Sequence, residues 1–292
     1  MPLVPEIALT GATGAIGGRV AARLAERSVP QRLIVRDADR APAIEGAEVA
    51  VASSYADREG MRRALEGMKT LFLVSGRESI DRLEQHLSAV DAAREAGIER
   101  IVYLSFLGAA PDATFTLAQQ HFATEEHVRA AGVRHTFLRS SMYADFVPYF
   151  TGDDGVIRGP AGSGRVAWVA REDIADVVVS VLLGEGHDGR TYEMTGPEAL
   201  TMAETAATLG NVTGRTITYR EETLEEARAS RAPTGAPDWE IEGWVTSYVA
   251  IATGEMDVVS DSVERLTGHP PWALEPFLRA NLELSAHLSV SP

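Results

Sequence analysis

Two residue types are almost missing from this chain, and each absence closes off chemistry. None of the 292 residues is a cysteine, which excludes disulfides, thiolate zinc sites, iron–sulfur clusters and a cysteine nucleophile, and fits a reducing compartment. Among 27 basic residues, Lys69 is the only lysine and the others are arginines. It lies in Gly67-Met68-Lys69-Thr70, a turn ahead of an apolar run, where a solvated surface position is expected. A Schiff-base lysine and a phosphate-loop lysine are set aside with it. So is a tyrosine activated by a lysine four residues on. Tyr55, Tyr103, Tyr143, Tyr149, Tyr192, Tyr219 and Tyr248 are followed at that spacing by Glu59, Leu107, Val147, Asp153, Gly196, Thr223 and Ala252.

Positive charge is scarce too. Asp and Glu number 42, giving a formal net charge of −15. Such a surface repels phosphate backbones and anionic headgroups, so neither a nucleic-acid nor a membrane partner is expected. An anionic ligand must be held locally, by a few arginines or by a helix N-terminus. No run approaches the roughly 18 apolar residues of a membrane span. The opening Met1-Pro2-Leu3-Val4-Pro5-Glu6 has neither the basic nor the apolar part of a signal peptide, so a cytoplasmic protein is expected. No His, Asp and Glu cluster has metal-ligand spacing, and no serine elbow with a triad is recognisable.

What is present is alternation. Apolar runs at 7–10, 33–35, 47–51, 71–74, 101–104 and 135–138 read as strands, with helices expected over 15–27, 57–66, 79–96 and 117–131. Uniformly apolar strands separated by helices imply an α/β fold with a doubly wound parallel sheet buried on both faces. After residue 151 the texture changes. A glycine-rich loop is expected at 152–164 and a helix at 172–184 that returns to the sheet. Short strands at 191–195 and 216–220 then mix with helices starting near Thr201, Thr223, Asp238, Ser260 and Trp272. The expected organisation is a nucleotide-binding domain over 1–150 and a smaller, mainly helical C-terminal lobe over 151–292.

The first strand runs into Thr10-Gly11-Ala12-Thr13-Gly14-Ala15-Ile16-Gly17-Gly18. In this G-x-x-G-x-x-G spacing, Gly11 allows the tight turn, Gly14 lets backbone approach a pyrophosphate and Gly17 lets the helix pack on the strand. The expected ligand is a dinucleotide. Which one depends on the end of the second strand, where an acid bonds the ribose of NAD and an arginine accommodates the 2′-phosphate of NADP. Arg36 follows Val35 directly, which favours NADP(H), while Asp37 keeps NAD(H) open. A surface ion pair of Arg36 with Asp37 or Asp39 is the bland alternative.

The stretch from Ile7 to Arg36 resembles the atypical short-chain dehydrogenases of the NmrA-like family. Leu71-Phe72-Leu73-Val74-Ser75-Gly76 and Arg100-Ile101-Val102-Tyr103-Leu104-Ser105 are similar to the fourth and fifth strands of that family. His121-Phe122-Ala123-Thr124-Glu125-Glu126 with Thr136-Phe137-Leu138-Arg139 resembles motifs of its NADPH quinone oxidoreductases and triphenylmethane reductases. Val169-Ala170-Arg171-Glu172-Asp173-Ile174-Ala175 and Val263-Glu264-Arg265-Leu266-Thr267-Gly268 match later motifs. The resemblance implies a Rossmann-type domain with cofactor contacts from Gly11, Thr13, Gly14, Ala15, Ile16, Gly17, Arg36, Val74, Ser75, Gly76, Ser105 and His121. One segment departs: where relatives carry Asn-Gly-Trp-Tyr facing the substrate, this chain has Ser140-Ser141-Met142-Tyr143.

Without a tyrosine–lysine pair, a quinone is the easier acceptor. Hydride transfer to it yields a phenol-like anion, with a pKa of about 10, that water can protonate. His121 and Ser105 are the candidate catalytic groups. His121, Thr124, Glu125 and Val128 share one helical face, and Glu125 at i+4 is expected to bond the imidazole and raise its pKa. A satisfied polar histidine, and a serine closing a strand, are the bland alternatives. Phe106, Met142 and Tyr143 are candidates for a wall against a flat aromatic substrate. Phe146 is expected to pack in the core, Arg139 to tie the lobes to a carboxylate, and His127 and His135 to be structural or exposed. The expected function is NAD(P)H-dependent reduction of a quinone-like or polycyclic aromatic acceptor. The alternatives are a non-catalytic NADP(H)-binding redox sensor, which alone would need a protein partner, and a tailoring ketoreductase of secondary metabolism. A homodimer is left open.

Overall fold

The apolar runs account for the main sheet, because a strand without polar residues on either face must be covered on both. The structure, a computed structural model, describes residues 6–288; residues 1–5, read above for a leader, and 289–292 lie outside the described residues. The first half runs β1 (Ile7–Thr10), α1 (Ala15–Glu26), β2 (Gln31–Val35), β3 (Ala47–Val51), α2 (Arg58–Leu65), β4 (Thr70–Leu73), α3 (Arg82–Glu95), β5 (Arg100–Phe106), α4 (Thr116–Ala130) and β6 (Arg134–Ser140). There follow β7 (Val156–Gly159), β8 (Arg165–Val166), α5 (Arg171–Leu183), β9 (Arg190–Met194), β10 (Leu200–Thr201), α6 (Met202–Thr213), β11 (Thr218–Glu221), α7 (Leu224–Arg231), α8 (Asp238–Ala252), α9 (Ser262–Thr267) and α10 (Leu274–Ala280).

Seven strands form one sheet in the order β3-β2-β1-β4-β5-β6-β9, with β1 parallel to both β2 and β4, β2 to β3, and β4 to β5. This is the expected Rossmann-type doubly wound sheet. Its order reverses between β1 and β4, and ligands of such sheets lie outside the carboxyl ends of the strands at that point. Leu9, Leu33, Leu71, Phe72, Ile101 and Tyr103 are fully buried in it. The edge strand β3 escapes burial, with Val49 and Val51 half exposed, and Arg190 and Thr191 of the other edge strand, β9, are exposed as well.

The chain divides into two compact units. One comprises Met1–Phe106, Gln120–Arg139 and Ile174–Tyr192, and the other Leu107–Gln119, Ser140–Asp173 and Glu193–Pro292. The sequence pattern suggests a boundary near residue 150 with the helix at 172–184 returning to the sheet; the units interleave along the chain, and 174–192 falls in the first of them. The first holds most of the sheet. The second holds α6 to α10, an antiparallel pair of β8 with β10 and a parallel pair of β7 with β11.

Two elements differ from expectation. The glycine-rich stretch 152–164 contains β7, because Val156 and Ile157 are β-branched and find a pairing partner in β11. The third helix begins at Arg82 rather than Ser79. The Ser79 hydroxyl donates to Asp81 Oδ1 (2.7 Å), a local bond that holds the chain in a turn ahead of the helix. Among the described residues no helix is long and apolar enough to cross a membrane.

Candidate functional site

The glycine loop is built on two close approaches. Gly11 adopts φ +67°, and a Cβ there would lie 3.1 Å from that of Val74, so the loop lies against the end of β4. At Gly17 a Cβ would fall 2.3 Å from the Gly11 carbonyl oxygen, a distance only glycine permits. Gly14 N–H donates back to that same oxygen (2.8 Å) and closes the turn. Gly14 also caps α1 without any side-chain bond, and no acid stands in the first turn. The N–H groups of Ala15, Ile16 and Gly17 precede the first possible intrahelical acceptor, and the helix dipole adds positive potential there. Thr13, Gly14 and Ala15 are exposed, whereas Ile16 and Gly17 are buried. Room for backbone approach, free donors and no competing carboxylate together suit a pyrophosphate.

At the end of β2 the two candidate readers differ in occupation. The Asp37 carboxylate accepts the N–H of Asp39 (3.1 Å), capping a short turn. Arg36 is exposed and forms no ion pair with Asp37 or Asp39, so the bland alternative is not realised.

The loop leaving β4 is held by side chains. Val74 N–H donates to Thr10 Oγ1 (2.9 Å), and the Tyr55 hydroxyl donates to the Val74 carbonyl (2.6 Å) while lying 2.7 Å from Thr10 Oγ1. Burial pushes the Tyr55 hydroxyl up to about 12, so it stays protonated. Two residues on, Gly76 N–H donates to His86 Nε2 (2.7 Å) and the Gly76 carbonyl accepts from Arg82 Nε (3.0 Å). Arg82 also donates to Gln120 Oε1 (3.1 Å) and to His121 Nε2 (2.8 Å).

Backbone N–H and guanidinium groups only donate, so both Nε2 atoms are acceptors and each imidazole carries its proton on Nδ1. His121 Nδ1 therefore donates to the Tyr103 oxygen (2.9 Å), and His86 Nδ1 to Thr124 Oγ1 (3.1 Å). Burial, reinforced by the Arg82 charge, lowers both imidazoles, His86 to about 3. Both rings are neutral at ordinary pH.

The expected bond from Glu125 to His121 is not made, and the expected rise in pKa is a fall. Glu125, fully buried, accepts from Ser105 Oγ (2.7 Å) and, in a bidentate pair, from Arg139 Nε and Nη2 (2.8 and 2.7 Å). The carboxylate is satisfied there, and His121 faces a cation instead. Arg139 thus ties β6 to α4 within the first unit. His121, Thr124, Glu125 and Val128 do form the buried face of α4.

Phe106 ends β5, its ring 6.1 Å from that of His121. In the second unit, Met142 and Tyr143 are half-buried; the Met142 carbonyl accepts from Val169 N–H (3.0 Å), and the Arg171 guanidinium lies 5.3 Å above the Tyr143 ring. Phe146 is 44% exposed beneath the same guanidinium, not in the core. His127 pairs with Asp91 (2.9 Å), and His135 stacks on Phe137. Lys69 pairs with Glu6 (2.5 Å) on the surface.

Sequence reasoning missed Tyr55, Arg82, His86 and Tyr103. A signal existed for three of them. Arg82 and His86 are i and i+4 on α3, and Tyr103 shares a strand face with Ser105, which the buried stripe of α4 must cover. Tyr55 lies in a loop and had none.

A match to the NmrA-like family spans residues 5–234. Quinone oxidoreductase 2 of Escherichia coli (strain K12) is 31% identical over 276 residues, 92% of this chain and 96% of its own. Its complex with NADPH aligns with a TM-score of 0.86 over 94% of this chain and 99% of that one. The triphenylmethane reductase of Citrobacter sp., complexed with NADP(H), aligns at 31% identity and a TM-score of 0.82, over 94% of this chain and 99% of that one. The (4-alkanoyl-5-oxo-2,5-dihydrofuran-3-yl)methyl phosphate reductase of Streptomyces griseus is 34% identical over 268 residues, 90% of this chain and 93% of its own. With a family match across most of its length and relatives aligned nearly end to end, this chain belongs to the NmrA-like family.

Proposed function

We propose that this protein is an NAD(P)H-dependent oxidoreductase of the cytoplasm that uses NADPH and passes hydride directly to a quinone-like or polycyclic aromatic acceptor. The observation that carries the reading is the open N-terminus of α1, reached by a glycine loop that lies against the end of β4 at the switch point of the sheet. When bound, the nicotinamide supplies the hydride. The chain supplies binding and orientation. Backbone around Gly11, Thr13 and Gly14, with the N–H groups of Ala15, Ile16 and Gly17, receives the pyrophosphate. Arg36 receives the 2′-phosphate, since Asp37 is already engaged in its turn. Val74, Ser75 and Gly76 line the next strand end.

His121 and Ser105 are buried beneath β5 and α4 with their hydrogen bonds made, and in this reading they orient neighbours and deliver no proton. Phe106, whose ring lies 6.1 Å from that of His121, is the acceptor-side candidate within the first unit, and Met142 and Tyr143 are those within the second. A conjugated acceptor suits such a site because its reduced anion is stabilised by its own π system. The three relatives above are named for a quinone, a triphenylmethane dye and an unsaturated furanone phosphate, all conjugated and electron-poor.

Steady-state NADPH oxidation with benzoquinones, naphthoquinones and a triphenylmethane dye tests the reading, with calorimetry of NADPH alone beside it. Turnover of at least one acceptor is expected. Tight NADPH binding without turnover of any acceptor assigns the redox-sensor alternative. In the same assay Arg36→Ala should raise the KM for NADPH about tenfold, roughly 1.4 kcal/mol, and leave NADH unchanged. An equal effect on both removes Arg36 from 2′-phosphate recognition.

A further inference from the structure

Gly76 lies in a slot. Where a side chain would stand, His86 Nε2 is 3.2 Å away and two carbons of the Tyr55 ring are 3.5 Å away. Both polar atoms of its peptide are taken by side chains of one helix, the N–H by His86 and the carbonyl by Arg82. Two residues earlier the Val74 peptide is held in the same way, its N–H by Thr10 and its carbonyl by Tyr55. A loop segment normally satisfies such groups with water or its own backbone. Here two alternate peptides are each gripped at both ends by side chains from β1, from α3 and from the segment after β3.

We infer that Tyr55, Arg82 and His86 are positioning residues for the dinucleotide, fixing the Val74–Gly76 backbone as a rigid wall beside the glycine loop. The inference rests on the reading of that loop as a dinucleotide site. The physical reason is entropy: a wall already ordered loses no freedom when the ligand arrives, whereas a loose one must be ordered at the ligand's expense. The geometry also demands the neutral imidazole. A doubly protonated His86 would point a donor at the Gly76 N–H donor across 2.7 Å. Burial keeps His86 neutral and the Arg82 charge reinforces it, while Arg82 also holds the Gly76 carbonyl, so one residue makes the second bond and supports the first.

His86→Phe removes the acceptor and keeps a ring; His86→Gln keeps an acceptor. Three measurements on the full chain separate the possibilities: amide exchange of Ser75 and Gly76 without ligand, the Kd for NADPH by calorimetry, and the split between KM and kcat. In His86→Phe the two amides should exchange at least about tenfold faster. Its Kd and KM for NADPH should rise at least about tenfold with kcat within about twofold. His86→Gln should return both to within about threefold of the parent. Should His86→Phe not fold, Tyr55→Phe decides; it keeps the ring over Gly76, loses the bond to Val74 and should weaken NADPH binding about threefold. Faster amide exchange with an unchanged Kd overturns the inference and leaves the proposed function standing. So does a His86→Gln variant that binds no better than His86→Phe. A parent protein that takes up neither NADPH nor NADH overturns the proposed function and this inference with it.

Discussion

The N-termini of α1 and of α6 and α7 present the same unpaired backbone N–H groups and treat them in opposite ways. At α6, Thr201 Oγ1 accepts the Glu204 N–H (3.1 Å) while Glu204 Oε2 accepts the Thr201 N–H (2.8 Å). At α7, Thr223 and Glu226 repeat the arrangement at 3.2 and 2.8 Å. At α1 the cap is Gly14, with no side-chain bond and no acid in the first turn. A side-chain cap is worth about 1 kcal/mol, and α1 goes without it. The helices α3, α8, α9 and α10 also lack a side-chain cap bond, but each carries an acid in its first turn; α1 has neither, and leaves its donors to something from outside the chain.

The contrast breaks most severely at Gly17. Gly17→Ala puts a Cβ 2.3 Å from the Gly11 oxygen and must push the loop away from α1. NADPH affinity should fall about a hundredfold, roughly 2.7 kcal/mol, measured by calorimetry. Unchanged affinity would mean that close packing of loop and helix is not what shapes the site.

Acid separates the two regions next. His86 is held at about 3, below its unfolded value near 6.5, so its contribution is complete above pH 6.5 and is lost as pH falls toward 3. His121 is lowered in the same direction. Stability should therefore fall as pH drops from about 6.5 toward 3, the window in which the unfolded chain binds protons that the buried imidazoles refuse. Glu204 and Glu226 are lowered by bonds from Thr201 and Thr223, so the capping boxes persist above the ordinary carboxylate range and fail only below it. Chemical denaturation at pH 7 and pH 5 checks this: the parent should lose stability over that interval, and His86→Gln should lose less.

Ala15→Glu asks whether α1 can be made to resemble the others. An acid in its first turn should stabilise the helix by about 0.3–1 kcal/mol and weaken NADPH binding about tenfold. A stabilised protein that binds NADPH normally would show that the phosphates do not reach this helix end. The mildest change is Thr223→Ala, which should cost about 1 kcal/mol in thermal or denaturant unfolding and leave NADPH affinity alone.

Most of the sheet was legible because its signals are local and periodic. Apolar runs such as Leu71-Phe72-Leu73 have no other place to go, and the glycines between β1 and α1 have few other uses. The buried stripe of α4 was legible for the same reason. The partner of His121 was not. Spacing along α4 offered Glu125, but the carboxylate was claimed by Arg139 and Ser105, from other strands. Arg82 reached His121 from α3, thirty-nine positions away. Periodicity shows which face of a helix is covered and is silent on which of several polar neighbours wins. Tyr55 was illegible for a second reason: a loop tyrosine carries no period, and its role exists only once Val74 and Gly76 are folded beside it.

The single side-chain amine has a practical consequence. Lys69 immediately precedes β4, so it marks the edge of the sheet opposite Val74, about 16 Å away along the strand at roughly 3.3 Å per residue. Glu6 raises its pKa by hydrogen bond and charge, so acylation there calls for alkaline buffer. Tethering or dye attachment through that one ε-amine would fix every molecule in the same orientation, with the glycine loop on the far side from the support.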